Sequence, residues 1–243
     1  MKLAHFSLPG LSRYLHASKL QDVLVRRLLA SKADPNLSVP LPSVITAEFH
    51  PVYTCGRREI GTVDTQQQTY LRANGRAEFH ETLRGGQTTF HGPGQLVAYP
   101  IIDLKRHKLT PRRYVHFLED VLIRTCGRYG LEAMRTEHTG IWSSPERKIA
   151  AIGVHLRRNV TSHGVGLNVS TDLWWFERIV ACGLADKEAT SFEREGVKHV
   201  RVKGVGDIFV EEFAKGLDGV RGVERRPEGD LELHVPTHAD TSS

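Results

Sequence analysis

Between residues 11 and 30, apolar side chains recur at Tyr14, Ala17, Leu20, Leu24 and Leu28 with charges opposite, the spacing of an amphipathic helix. Asp34-Pro35 and Pro40-Leu41-Pro42 break that pattern as a linker, and Val44 to Phe49 predicts a short strand. His50 to Gly61 reads as a polar loop, and residues 62–76 as a loop or short helix. Residues 87–102, rich in β-branched and aromatic side chains, predict two strands around the turn Gly92-Pro93-Gly94. Thr110 followed by Pro111 marks a helix start, with Thr110 as N-cap and a buried stripe of Tyr114, Phe117, Leu118, Val121, Leu122 and Cys126. That stripe makes Cys126 a core residue. Residues 148–156 and 163–170 predict two more strands joined through Arg157-Arg158-Asn159, and a helix is expected around 206–216, carrying Ile208, Phe209, Glu212 and Phe213.

Helices and strands intermix without regular alternation, so the expected class is α+β around a mixed sheet. At 243 residues the chain can bury a substantial core; residues 1–234 are expected as one domain and 235–243 as a polar tail. No apolar run approaches 18 residues, which excludes a membrane-spanning helix. Cys55, Cys126 and Cys182 are odd in number and lack short-range pairing, which argues against a disulfide framework. The 13 histidines are scattered, so a zinc site has little support and no metal is expected. The net charge of +5 points to an acidic partner. It is carried partly in the doublets Arg26-Arg27, Arg57-Arg58, Arg112-Arg113 and Arg157-Arg158, with no aromatic-interleaved motif for nucleic acid beside them. The first 21 residues lack acidic side chains, a faint likeness to an organellar presequence.

Three segments carry the candidate chemistry. Arg84 to Gly94 packs four glycines, an arginine, a histidine and a proline into 11 residues. Glycine is costly to order, so such a cluster implies positive φ or close backbone approach to a ligand, a glycine-bulged hairpin being the plainer alternative. Lys148 opens the apolar run Lys148-Ile149-Ala150-Ala151-Ile152-Gly153-Val154; alone it reads equally as a strand-edge solubilising charge. His163-Gly164-Val165-Gly166-Leu167-Asn168 is the third, and His91, His155 and His163 are each a candidate base or a satisfied polar residue. Cys182, followed by Gly183, has the form of an exposed nucleophile at an element end, a structural cysteine being the plainer alternative, and a thiolate there needs a nearby cation or helix N-terminus. Spacing does not place Lys148 beside a cysteine 34 residues away.

Together, Arg84 to Pro100, Lys148 to Gly153, and His163 to Asn168 followed by Cys182-Gly183 resemble the lipoyl/octanoyl transferase family in order and spacing. Thr54-x-Gly56-Arg57 and Thr190-Ser191 extend the resemblance over residues 10–195. It implies the fold of biotin and lipoate protein ligases, and transfer of an octanoyl group from acyl carrier protein to a lysine of lipoyl domains. Those domains belong to 2-oxoacid dehydrogenases and the glycine cleavage H protein. It further implies Cys182 as acyl-thioester nucleophile and Lys148 as the lysine that promotes its thiolate. The substrate-binding residues it implies are Arg84, Gly85, Gly86, Gln87, Thr88, Thr89, Phe90 and His91; Ala151, Ile152 and Gly153; and His163, Gly164, Val165 and Gly166.

The implied reaction starts from an activated thioester, so neither ATP nor a metal is expected, and neither is a nucleic-acid or membrane partner. Two features depart from the bacterial pattern. Ala181 replaces the usual proline before the cysteine, which implies a eukaryotic and hence mitochondrial member rather than a bacterial cytoplasmic one. Gly166 stands where alanine is common, which bears on chain-length preference. The rival readings are an ATP-dependent lipoate or biotin ligase on the same fold and a non-catalytic lipoyl-domain-binding protein.

Overall fold

The apolar run from Gln95 to Ile101 is fully buried because it forms a strand covered on both faces. The computed structural model describes residues 1–179 and 187–232. Its elements are β1 (Leu3–Ser12), α1 (Tyr14–Ala33), β2 (Ser43–Phe49), β3 (Val52–Cys55), α2 (Thr65–Leu71), β4 (Glu78–Glu81), β5 (Thr89–His91) and β6 (Gln95–Ile101). There follow α3 (Pro111–Gly127), β7 (Ile141–Trp142), β8 (Arg147–Arg157), β9 (Val160–Asn168), a 3-10 helix at Leu173–Arg178, β10 (Glu188–Ala189), α4 (Val202–Gly216), β11 (Val223–Arg225) and α5 (Gly229–Glu232).

An eight-stranded sheet runs β10-β8-β9-β6-β2-β1-β11, with β7 also on β8, and β4-β3-β5 form a second sheet. Pairing is mixed: β1 lies parallel to β2, while β2–β6, β6–β9 and β8–β9 are antiparallel. Side chains alternate between two cores. Ile45, Val97 and Tyr99 face Tyr14, Ala17, Leu20, Leu24 and Leu28 of α1. Val44, Leu96 and Ala98 face Leu118, Val121 and Leu122 of α3 and Phe209 and Phe213 of α4. The architecture is α+β, a mixed sheet between helices. Among the described residues no helix is long and apolar enough to cross a membrane.

Local chemistry explains several boundaries. The Thr110 hydroxyl accepts from Arg113 N–H at 3.3 Å, capping α3 with Pro111 in its first turn. The β8–β9 hairpin turns on Arg158 and Asn159, both at positive φ, the conformation that suits the twist of a two-residue connection. Cys126 is fully buried on α3, and burial pushes its thiol up to about 12.

Three expectations are corrected and one alternative is ruled out. Leu11 and Ser12 close strand β1 and the helix starts at Tyr14. Val52–Cys55, read as polar loop, is a buried strand, too short for alternation to be visible. Phe117 is only half-buried, at the edge of the α3 stripe. The strands around Gly92-Pro93-Gly94 are not a hairpin: β5 pairs with β3, and β6 with β2 and β9. The turn carries the chain from one sheet to the other. The expected tail at 235–243 lies outside the described residues.

Candidate active site

Residues 84–88 bridge the two sheets. Arg84 donates to Thr54 Oγ1 at 3.0 Å, to Thr54 O, to Gly85 O at 3.0 Å and to Gln87 O at 2.8 Å. All four acceptors are neutral, and burial lowers the tendency of this guanidinium to stay charged. Gly85 N–H donates to Val154 O of β8 at 3.0 Å, while Thr88 N–H and Oγ1 both donate to Glu59 at 2.6 and 2.7 Å. Close approach explains the glycine on β8: a Cβ on Gly153 would lie 2.9 Å from Gly85 O and 3.2 Å from Arg84 Cδ.

Under this bridge lies a cavity of about 470 Å³. Its walls include Arg84 to Thr89, His91, Ala151 to Gly153, His163 to Gly166, and Lys148. Segments far apart in sequence therefore meet on one wall, because β8 and β9 are partners and the 84–88 bridge docks onto β8. Phe90 is the exception. Its side chain is fully buried in the smaller sheet's core, stacked on Trp175 at 4.9 Å with the planes 4° apart. Alternation along β5 requires this, since His91 faces the cavity and its neighbour must face away.

Two of the cavity histidines, His91 and His163, are held neutral. Gln95 Nε2 donates to Phe90 O at 3.2 Å and to Asn168 Oδ1 at 2.9 Å, so its Oε1 accepts from His91 Nδ1–H at 2.6 Å. Asn168 in turn donates to Thr190 O at 2.9 Å. That chain places the His91 proton on Nδ1 and leaves Nε2 an acceptor. Desolvation brings His91 down to about 4 and His163 to about 3, with Arg84 adding to both effects. His163 sits at positive φ, its N–H donating to Gln21 Oε1 at 2.6 Å and its ring edge-on to Tyr99.

Lys148 is buried at the start of β8, its Nζ 5.0 Å from the centre of the Trp142 ring. Along the strand it stands roughly 20 Å from Val154, where the bridge docks. Its carbonyl accepts from Thr190 N–H at 2.9 Å, and it pairs with Ala189 of β10. Cys182 lies outside the described residues. On one side of it Phe176 and Ile179 line the cavity, and on the other Ala189 does. The 3-10 helix before it is anchored by Tyr53 Oη donating to Trp175 O at 2.6 Å and by Arg76 over both Trp174 and Trp175.

Sequence reasoning passed over Tyr14, Gln95, Tyr99 and Asn168, which also line the cavity, and Trp142 beneath Lys148. Gln95, Tyr99 and Asn168 stood inside the singled-out segments; Tyr14 read as core, which it also is. Among the described residues no group of three or more His, Cys, Asp or Glu side chains could hold a metal.

Residues 13–214 match the lipoyl protein ligase A/B catalytic domain, and the chain belongs to that family. Its relatives include octanoyltransferases. A "Probable octanoyltransferase" of Schizosaccharomyces pombe is 50% identical over 198 residues, covering 81% of this chain and 87% of the relative. The mitochondrial octanoyl-[acyl-carrier-protein]:protein N-octanoyltransferase LIPT2 of Homo sapiens is 42% identical, covering 82% and 87%. Among solved structures, a lipoate-protein ligase A bound with ATP superposes with a TM-score of 0.71 at 14% identity, covering 95% of this chain and 92% of that one. That likeness shows the fold.

Proposed function

We propose that this chain moves an octanoyl group from acyl carrier protein to a lysine of lipoyl domains through a thioester on Cys182. The observation that carries the reading is the cavity: three glycine-bearing segments meet on its wall together with Lys148, in a chain half identical to a probable octanoyltransferase. The Cys182 role rests on the family resemblance and on its flanks, Ile179 and Ala189, both lining that cavity. Cys55 and Cys126 are poor rivals, since burial raises both thiols.

In the first half-reaction the Cys182 thiolate attacks the donor's thioester carbonyl. A new C–S bond forms, the carrier's C–S bond breaks, and the carrier thiolate takes a proton from the Lys148 ammonium. In the second, the acceptor lysine's amine attacks the acyl-enzyme carbonyl and gives a proton to Lys148 as the Cys182 thiolate leaves. The thioester supplies the activation, so no ATP and no metal enter. Neutral His91 and His163 leave the acyl cavity without an added imidazolium charge. Burying the chain is worth about 0.8 kcal/mol per CH₂, and one methylene discriminates by only ~1–3 kcal/mol, so neighbouring chain lengths are accepted. The acceptors are lipoyl domains of 2-oxoacid dehydrogenases and the glycine cleavage H protein, and the compartment is the mitochondrion, a reading supported by the word mitochondrial in the names of animal relatives.

Intact mass spectrometry with octanoyl-carrier protein tests the central step. The wild-type chain gains one octanoyl group without ATP, and Cys182→Ala gains none. An adduct persisting in Cys182→Ala overturns the mechanism, and transfer from free octanoate that requires ATP replaces it with a ligase. For Lys148→Ala, thiol alkylation near neutral pH slows.

A further inference from the structure

The structure assigns Trp142 as a positioning residue for Lys148: its indole face is the seat on which the ammonium rests. Lysine is a compact charge on a flexible four-carbon arm, so a general acid and base made from it needs something to hold the arm. Trp142 stands directly opposite Lys148 in the β7–β8 pairing, so the two side chains are cross-strand neighbours. The Nζ lies 5.0 Å from the ring centre, within the range of a cation–π contact.

The indole is fixed on several sides. It is fully buried; its Nε1–H donates to His138 O at 3.2 Å, and its backbone exchanges two hydrogen bonds with Met134 at 2.8 and 3.0 Å. The adjoining loop opens a path for the lysine arm at Gly140, whose φ is +117. A Cβ there would lie 2.6 Å from Lys148 Cε and 2.5 Å from Ala150 O. Buried Glu119 of α3 holds Gly140 in place, accepting its N–H at 3.3 Å while Arg135 Nε donates to the same carboxylate at 3.0 Å. Gly140 clears the channel, and Trp142 receives the charge at its end. The inference rests on the proposed role of Lys148 and adds the group that sets where its ammonium sits in both half-reactions.

Fluorinated tryptophans separate this role from plain packing, because each fluorine weakens the ring's attraction for a cation while barely changing its shape. Incorporating mono-, di- and trifluorotryptophan into the full chain should lower kcat for octanoyl transfer stepwise, by about threefold to tenfold over the series, with KM little changed. The same series in Trp142→Phe should be flat, since Trp174 and Trp175 then carry all the label. In unlabelled chains Trp142→Phe should retain more kcat than Trp142→Leu. A flat series in the parent chain, or an equal decline in Trp142→Phe, overturns the positioning role while transfer itself stands. No transfer by the unlabelled parent chain overturns the underlying function as well.

Discussion

His5, His91 and His163 share one physical condition: each is buried, and desolvation brings their ring nitrogens down to about 4, about 4 and about 3. The unfolded chain takes up protons at these side chains near pH 6.5, and the folded chain does not. Stability from this source is therefore complete above about pH 6.5 and lost progressively as pH falls toward 4, by up to about 1.4 kcal/mol per pH unit per histidine. Denaturant midpoints at pH 7.5 and 5.5 should differ accordingly. His163→Asn should flatten the slope by about one histidine's share, because asparagine tolerates the positive φ there and does not titrate. An unchanged slope would show that His163 is already protonated when folded. At Gly153 the constraint is steric. Gly153→Ala should push Arg84 and Gly85 off β8 and cost about 1–3 kcal/mol, read as weaker acyl-donor binding and a lower melting temperature.

At the scale of elements, the long amphipathic helices were legible and the short strands were not. α1 and α3 announce themselves because a helix repeats its buried stripe over several turns, and Thr110-Pro111 marks a start. β3 and β4 span four residues each, which leaves alternation no room to show. Phe90 shows the same limit within the site. Its place in the family segment implied substrate contact, yet alternation along β5 turns it into the core of the smaller sheet. Phe90→Ala should therefore cost about 3–5 kcal/mol of stability by opening a cavity against Trp175, while Phe90→Leu leaves acyl chain-length preference unchanged in a competition assay. A shifted preference would put the ring in the acyl site after all.

At the scale of the whole molecule, a net charge of +5 would give the proposed association with carrier and lipoyl-domain proteins a long-range electrostatic component if those partners are acidic. Raising ionic strength from low to about 0.3 M, where the Debye length falls to roughly 6 Å, should raise KM for the carrier-borne donor several-fold. It should leave kcat and the KM for a carrier-free octanoyl thioester nearly unaffected. Equal salt effects on both donors would argue against a charge-steered encounter.

The sequence by itself determined the α+β class, the major helices, the β8–β9 hairpin and the segments that mark the family, because each is a local pattern of periodicity, turn chemistry or glycine content. Tertiary structure alone decided what those segments share. Pairing of β8 with β9 and docking of Gly85 on Val154 bring residues 84–89, 91, 151–153 and 163–166 around one cavity. Pairing of β8 with β7 seats Lys148 on Trp142, and pairing with β10 brings Thr190 beside it. Contacts between residues tens of positions apart depend on which strands become neighbours and in what register. That choice is made by burial of the two core faces together, and no single segment's spacing contains it.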